Sequence, residues 1–234
     1  MSEKLNRKFD ITELESDGVT AKTPQDKAEM LNSFFASVFT REKMENIPKF
    51  DDREFAEALS SIQFSSMDIT KRLQKLKICK AAGPDELHPR LLKEAADVLG
   101  EPLQILFKKS LEEEKVPKDW KVGKIVPIFK KGQRKQPTNY RPVSLTSVVC
   151  KLMESVIRDH IMDHFKQNSL FTKNQYGFLE GRSTISQILD VMDSWTAILD
   201  VRGCLDNIYF DFQKAFDSVP HARLHIKLAG YGIR

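Results

Sequence analysis

From Thr146 to Phe165 the apolar residues Val149, Leu152, Met153, Val156, Ile157, Ile161 and Phe165 recur at three-to-four spacing, with polar residues between them. Such a repeat winds a single apolar stripe along an α-helix, and the stripe has to be buried against other elements. The same spacing returns elsewhere. Thr23 as N-cap and Pro24 at the first helical position precede Ala28, Leu31, Phe34, Phe35 and Val38. Ser66 can cap a helix that carries Ile69, Leu73 and Leu76. Pro89 opens a helix carrying Leu91, Leu92, Ala95 and Val98, and Pro102 opens another with Leu103, Leu106, Phe107 and Leu111, the two packing as a hairpin. Further helices are expected from about Thr184 to Leu199 and from near Pro220.

Strand patterns are few. Residues 122–129, "VGKIVPIF", form one, placed at a sheet edge by Pro127, which has no N–H for a ladder. Residues 206–212 form the other. Many helices with few strands fit an α+β domain rather than a doubly wound one. At 234 residues and 41% hydrophobic content the chain can bury a real core. We divide it into a polar, aperiodic N-terminal arm (1–22), a helical extension (23–115, with a polar linker at 41–54) and a C-terminal unit (116–234). Cys79, Cys150 and Cys204 stand far apart, so a disulfide framework or zinc site is not expected. The charged N-terminus lacks the apolar core of a signal peptide, and no stretch is apolar for the roughly 18 residues of a membrane span. An intracellular location, nucleus or cytoplasm, is expected.

Two features carry candidate chemistry. In "NIYFDFQKAFDSVPH", residues 207–221, two-residue alternation puts Ile208, Phe210 and Phe212 on one strand face and Tyr209 with Asp211 on the other. A carboxylate at a strand end can hold a hard cation such as Mg²⁺; it can equally close a turn or cap the next helix. The second is charge. Net charge is only +4, yet Lys118, Lys121, Lys124, Lys130, Lys131, Arg134 and Lys135 face the single acid Asp119 between 118 and 135, with Arg141 just beyond. Such a cluster suits phosphate contacts, and it also suits a solvated loop. His160 and His164 share a helix face, but "HIMDH" lacks the Glu of the zinc-protease signature.

Five segments in order, "GPDELHPRLLK", "VGKIVPIFKKG", "NYRPVSLTSVVCKLMESVI", "NQYGFLEGRST" and "YFDFQKAFDSVPH", resemble the reverse transcriptase of non-LTR (LINE-type, jockey-like) retrotransposons. The resemblance runs from about residue 24 to the end. It implies a right-hand polymerase, of which this chain would be mainly helical fingers and a partial palm, truncated. By resemblance Asp211 is the catalytic palm carboxylate and a Mg²⁺ ligand, with the Phe212 carbonyl as a further ligand. Phe216 matches the aromatic gate that favours deoxynucleotides, and Lys130 and Arg141 match the cations that grip the incoming dNTP. Lys124, Lys131, Arg134, Lys135 and Arg182 would contact nucleic acid. The implied partners are an RNA template, a DNA primer and dNTPs, and no membrane. In "GFLEGRST", Leu179 stands where the family usually has a basic residue.

Only 23 residues follow Asp211, and none of them forms the family's Gly-x-Pro-Gln-Gly or Tyr/Phe-x-Asp-Asp segment. Two-metal chemistry draws carboxylates from both palm segments. The expectation is therefore a fragment inactive on its own, with missing palm and thumb segments if it belongs to a longer product. The alternative is a non-catalytic nucleic-acid-binding remnant of a decayed element. An apolar strand at 206–212 without neighbours would be prone to association.

Overall fold

The computed structural model describes residues 11–42, 45, 47, 50 and 58–233. The first half of the expected arm and most of the linker at 41–54 lie outside the described residues. Where the rest of a loose arm was expected, the chain forms a hairpin: β1 (Leu14–Ser16) pairs antiparallel with β2 (Val19–Ala21). Asp17 and Gly18 between them both have positive φ, +51° and +78°, as the mirror-image hairpin turns require. Leu14 and Ala21 are buried beneath it. The Asp-Gly dipeptide was the signal for this turn.

Helix α1 (Pro24–Ser37) starts as expected, the Thr23 hydroxyl accepting from the Asp26 N–H at 3.1 Å. Helix α2 (Ser66–Gln74) is capped one residue earlier than expected, by Ser65. The next two helices break elsewhere than at Pro102. Helix α3 (Pro89–Glu94) is capped by the His88 ring and ends at Ala95, and α4 (Ala96–Glu112) runs straight through Pro102. Proline there costs the helix one hydrogen bond, to the Val98 carbonyl. Val98 is exposed, so water can serve that carbonyl.

A second hairpin follows. Strand β3 (Lys124–Phe129) pairs antiparallel with β4 (Tyr140–Leu145), a strand that sequence reading did not anticipate. Pro127 stands opposite Pro142 in this ladder. The Lys130 N–H donates to the Asn139 carbonyl at 2.8 Å just beyond it. Alternation from that bonded pair puts the two prolines at a non-hydrogen-bonded pair, where neither needs to donate.

Helix α5 (Val148–Gln167) carries the predicted stripe, capped by Ser147, and buries Val149, Leu152, Met153 and Val156. With α2, α3 and α4 these residues build the main core around the fully buried Phe107, Ile69 and Leu73. Phe107 meets Phe64 and Trp120 edge-on, at ring separations of 5.6 and 5.9 Å. A smaller cluster joins Leu14, Ala21, Leu31 and Tyr140.

Helix α6 (Thr184–Asp200) begins with a capping box at Ser183 and Ser186, and α7 (His221–Gly230) follows Pro220. Residues 206–212 do not form the expected strand. They run without a ladder and exposed: Phe210 is 83% accessible and Phe212 81%. A strand exists only through bonds to a neighbour, and each described sheet is a closed two-stranded hairpin.

The turn before α3 is set by Gly83, where an added Cβ would stand 2.6 Å from the Thr146 carbonyl oxygen and 2.8 Å from the Ser147 Cα. Both are backbone atoms at the start of α5 and cannot swing aside. Gly83→Ala should cost about 1–3 kcal/mol in urea unfolding, while Gly177→Ala, with nothing within 4 Å, should stay within about 0.5 kcal/mol. Equal effects would show that this contact does not position the turn.

Candidate nucleic-acid and nucleotide interface

The β3–β4 hairpin sorts the predicted cations. Cross-strand partners share a face. Ile128 pairs with Arg141, Val126 with Val143 and Lys124 with Leu145, so Lys124, Arg141 and, one alternation further, Lys130 project together. The opposite face carries Phe129 and Tyr140, their rings 5.6 Å apart and packed with the Leu14 cluster. One face is therefore anchored and the other is cationic. Lys124, Lys130, Lys131 and Arg141 are exposed and form no ion pair among the described residues.

The loop joining the strands is held at several points. Gly132 takes φ +86° against the Asn139 amide, which itself donates to the Gln133 carbonyl at 2.8 Å. The Tyr140 hydroxyl donates to the Arg134 carbonyl at 2.7 Å. Two of the loop's predicted nucleic-acid contacts are already engaged. Lys135 pairs with Glu13 at 2.5 Å and Glu15 at 3.1 Å, and the Arg134 guanidinium lies 4.5 Å from the centre of the Phe129 ring. The Glu15 N–H donates to the Lys135 carbonyl, so the N-terminal hairpin braces the loop from behind.

Arg182 also works within its own loop, donating to the Lys173 and Gln175 carbonyls at 2.5 and 2.6 Å with its guanidinium over Tyr176. The Tyr176 hydroxyl in turn donates to Asp190 on α6, which pushes the phenol's pKa up.

Asp211 is exposed. Among the described residues no three His, Cys, Asp or Glu side chains gather closely enough to hold a metal. The Asp211 carboxylate and the Phe212 carbonyl are hard oxygen donors of the kind Mg²⁺ takes. Asp217 lines a cavity of about 760 Å³ between α1 and the β3–β4 hairpin.

The segment after Asp211 is tied to the N-terminal helix. Lys214 places its ammonium 4.6 Å from the centre of the Phe34 ring, and the Thr40 hydroxyl donates to the Ser218 carbonyl at 2.9 Å. Glu42 accepts from the Ala222 N–H at 3.1 Å and pairs with Arg223 at 3.2 Å, so its carboxylate caps α7. Phe216 is 78% exposed and meets Phe178 edge-on at 6.0 Å. The two histidines of α5 serve structure: His160 bonds the Val156 carbonyl and His164 the Tyr231 carbonyl. Among the described residues no helix is long and apolar enough to cross a membrane.

One basic run escaped the sequence reading. Lys71, Arg72, Lys75, Lys77 and Lys80 fall within ten residues that contain no acid, a denser charge than the 118–135 region. Arg72 is held by Asp68 and Asp159 at 2.7 and 2.8 Å.

Comparison with known proteins fits this arrangement. Residues 128–234 match the family described as reverse transcriptase (RNA-dependent DNA polymerase). Together with the relatives that follow, this is a similarity to reverse transcriptases of the non-LTR, LINE type, whose motifs the sequence displays. In Drosophila melanogaster the chain is 28% identical to the probable RNA-directed DNA polymerase from transposon BS, over 69% of this chain and 18% of that protein. It is 23% identical to the corresponding X-element protein, over 92% of this chain and 24% of the relative. It is 29% identical to the RNA-directed DNA polymerase from mobile element jockey, over 68% and 18%. The chain thus spans a quarter or less of the relatives' length.

The Lys135 ammonium, by hydrogen bond and charge, holds the Glu13 carboxyl below its usual pKa. A depressed carboxyl stabilises above its unfolded value and loses that contribution as pH falls through the folded one. Amide protection in the 14–21 hairpin should therefore fall below about pH 4, and Lys135→Gln should remove that pH dependence. An unchanged profile in the variant would show that this pair does not hold the hairpin.

Proposed function

We propose that this chain supplies the fingers and the first catalytic segment of an RNA-directed DNA polymerase of a non-LTR retrotransposon. What carries the reading is the placement of Lys130 and Arg141, two cations from separate motifs, on one face of a pinned hairpin within the reverse-transcriptase match. There they hold the triphosphate of an incoming dNTP, Arg141 able to do so in a bidentate manner. Lys124 extends the cationic face toward template and primer, and Lys131 adds a cation from the loop beyond β3. Arg134, Lys135 and Arg182 shape the two loops, and their contacts with nucleic acid are made in competition with the internal partners described above.

Asp211 and the Phe212 carbonyl supply part of the coordination of Mg²⁺. Bound there, the ions lower the pKa of the primer 3′-OH and neutralise charge on the triphosphate. Phe216, backed by Phe178, presents its ring as the gate against a ribose 2′-OH. The 234 residues contain one of the two carboxylate segments that such a site draws on, so acting by themselves they bind a primed template and do not extend it.

Salt titration of a primed RNA template with the purified chain, alongside primer extension with Mg²⁺ and dNTPs, tests this. Binding without extension is expected, and Lys124→Ala with Lys131→Ala should weaken binding of the primed template about tenfold or more at low salt. Undiminished binding by that double variant would contradict the role of the hairpin face. Extension that vanishes in Asp211→Asn would show a self-sufficient polymerase, and extension that survives it would remove Asp211 from the chemistry.

A further inference from the structure

Two aromatic rings stand largely clear of the protein and touch each other. Phe178, in the loop between α5 and α6, is 89% exposed and meets Phe216 edge-on, with the ring centroids 6.0 Å apart and the planes at 85°. Phe178 also holds φ at +63°, a backbone conformation that is costly for a bulky side chain and that glycine adopts freely. So exposed a ring gains little burial in return. Strain of this kind persists where the surrounding chain imposes it, and it concentrates at functional positions.

Here the surrounding chain does impose it. Arg182 donates to the Lys173 and Gln175 carbonyls and covers the Tyr176 ring, and the Tyr176 hydroxyl donates to Asp190 on α6. The Gln175 side chain donates to the Gly177 carbonyl at 3.4 Å, and the Arg182 N–H donates to the Leu179 carbonyl at 3.3 Å. These bonds brace the loop on either side of Phe178, so its ring projects from a set place.

The segment that carries Phe216 is held on both sides of that residue. The Lys214 ammonium lies over the Phe34 ring, the Ser218 N–H donates to the Lys214 carbonyl at 3.1 Å, and the Thr40 hydroxyl donates to the Ser218 carbonyl. None of these contacts involves the Phe216 ring. Among the described residues its one aromatic neighbour is Phe178, and an edge-to-face pair fixes the tilt of both rings.

We propose that Phe178 is a positioning residue, which holds the Phe216 ring against the sugar of an incoming nucleotide and so sets how strongly a ribose 2′-OH is rejected. The role rests on the proposed function, which makes Phe216 the gate; the ring contact and the braced loop rest on the geometry. Phe178 acts through Phe216. With its backbone fixed and its supporting ring gone, the gate turns aside for the hydroxyl. Selectivity then falls while Lys130 and Arg141 keep their grip on the triphosphate.

The test is calorimetric titration of the purified chain, with Mg²⁺ and a primed RNA template that presents uridine, against dATP and against ATP. The readout is the ratio of the two affinities. Phe178→Ala should lower the preference for dATP about two- to tenfold, the worth of an edge-to-face pair, with dATP affinity itself unchanged. Phe178→Tyr should keep the wild-type preference. Phe178→Gly should lose as much preference as Phe178→Ala with no loss of melting temperature, because glycine takes this φ unstrained; a ring that served the fold alone would leave the ratio where it was. Wild-type preference in Phe178→Ala and Phe178→Gly, with the preference lost in Phe216→Ala, overturns the inference and leaves the gate standing. A preference that survives Phe216→Ala, or a wild type that binds both nucleotides equally or neither, removes the gate and the inference with it.

Discussion

The register of β3 against β4 governs everything else in the site. Pro127 facing Pro142 removes two donors from the outward edges of the pair, which blunts both edges against further strands. The hairpin therefore stays two-stranded, and its two faces are free to differ. One face, with Phe129 and Tyr140, is buried against the N-terminal hairpin and α1. The other carries Lys124 and Arg141 with Lys130 beyond them. A slip of one residue would exchange these sets, putting cations against the Leu14 cluster and rings in solvent. Burial of the aromatic face is thus what holds the cationic face outward.

The N-terminal part contributes more than packing. Lys135 is held by Glu15 of β1 and by Glu13 just before it, and Lys214, Ser218, Ala222 and Arg223 are held by Phe34, Thr40 and Glu42 at or beyond the C-terminal half of α1. Both the basic loop and the segment after Asp211 therefore lean on one short stretch of chain, residues 13–42. These ties are mostly polar and at the surface, each worth a modest amount alone. Their effect is to restrict two loops that have little core of their own.

Helices proved legible where the stripe and the cap coincided. Thr23 with Pro24, and the α5 stripe, each specify a boundary and a buried face in local sequence. Pro102 misled because a first-turn proline and an interior proline look alike until the exposure of the orphaned carbonyl is known. Strand β4, "YRPVSL", was missed because its proline is acceptable only opposite Pro127, a fact of pairing that no local pattern contains. The same reason explains residues 206–212: alternation showed a strand-forming pattern, while a strand is made by its neighbours. Among the candidate site residues, the type and order of the motifs were legible. That Arg182 and Lys135 are occupied within the protein was not, since their partners lie seven to 122 residues away in sequence. The run at 71–80 was visible as charge without acid.

The two-faced hairpin is tested most directly by exchanging Lys124 and Ile125. The exchange leaves composition and net charge unchanged and moves one cation to the other face, at a position where Ile125 is already 49% exposed. RNA affinity measured against salt should show a slope lower by about 0.7, the change expected when a single phosphate is left without its cation. A slope equal to that of the wild type would mean that net charge, and not the face on which it stands, accounts for binding.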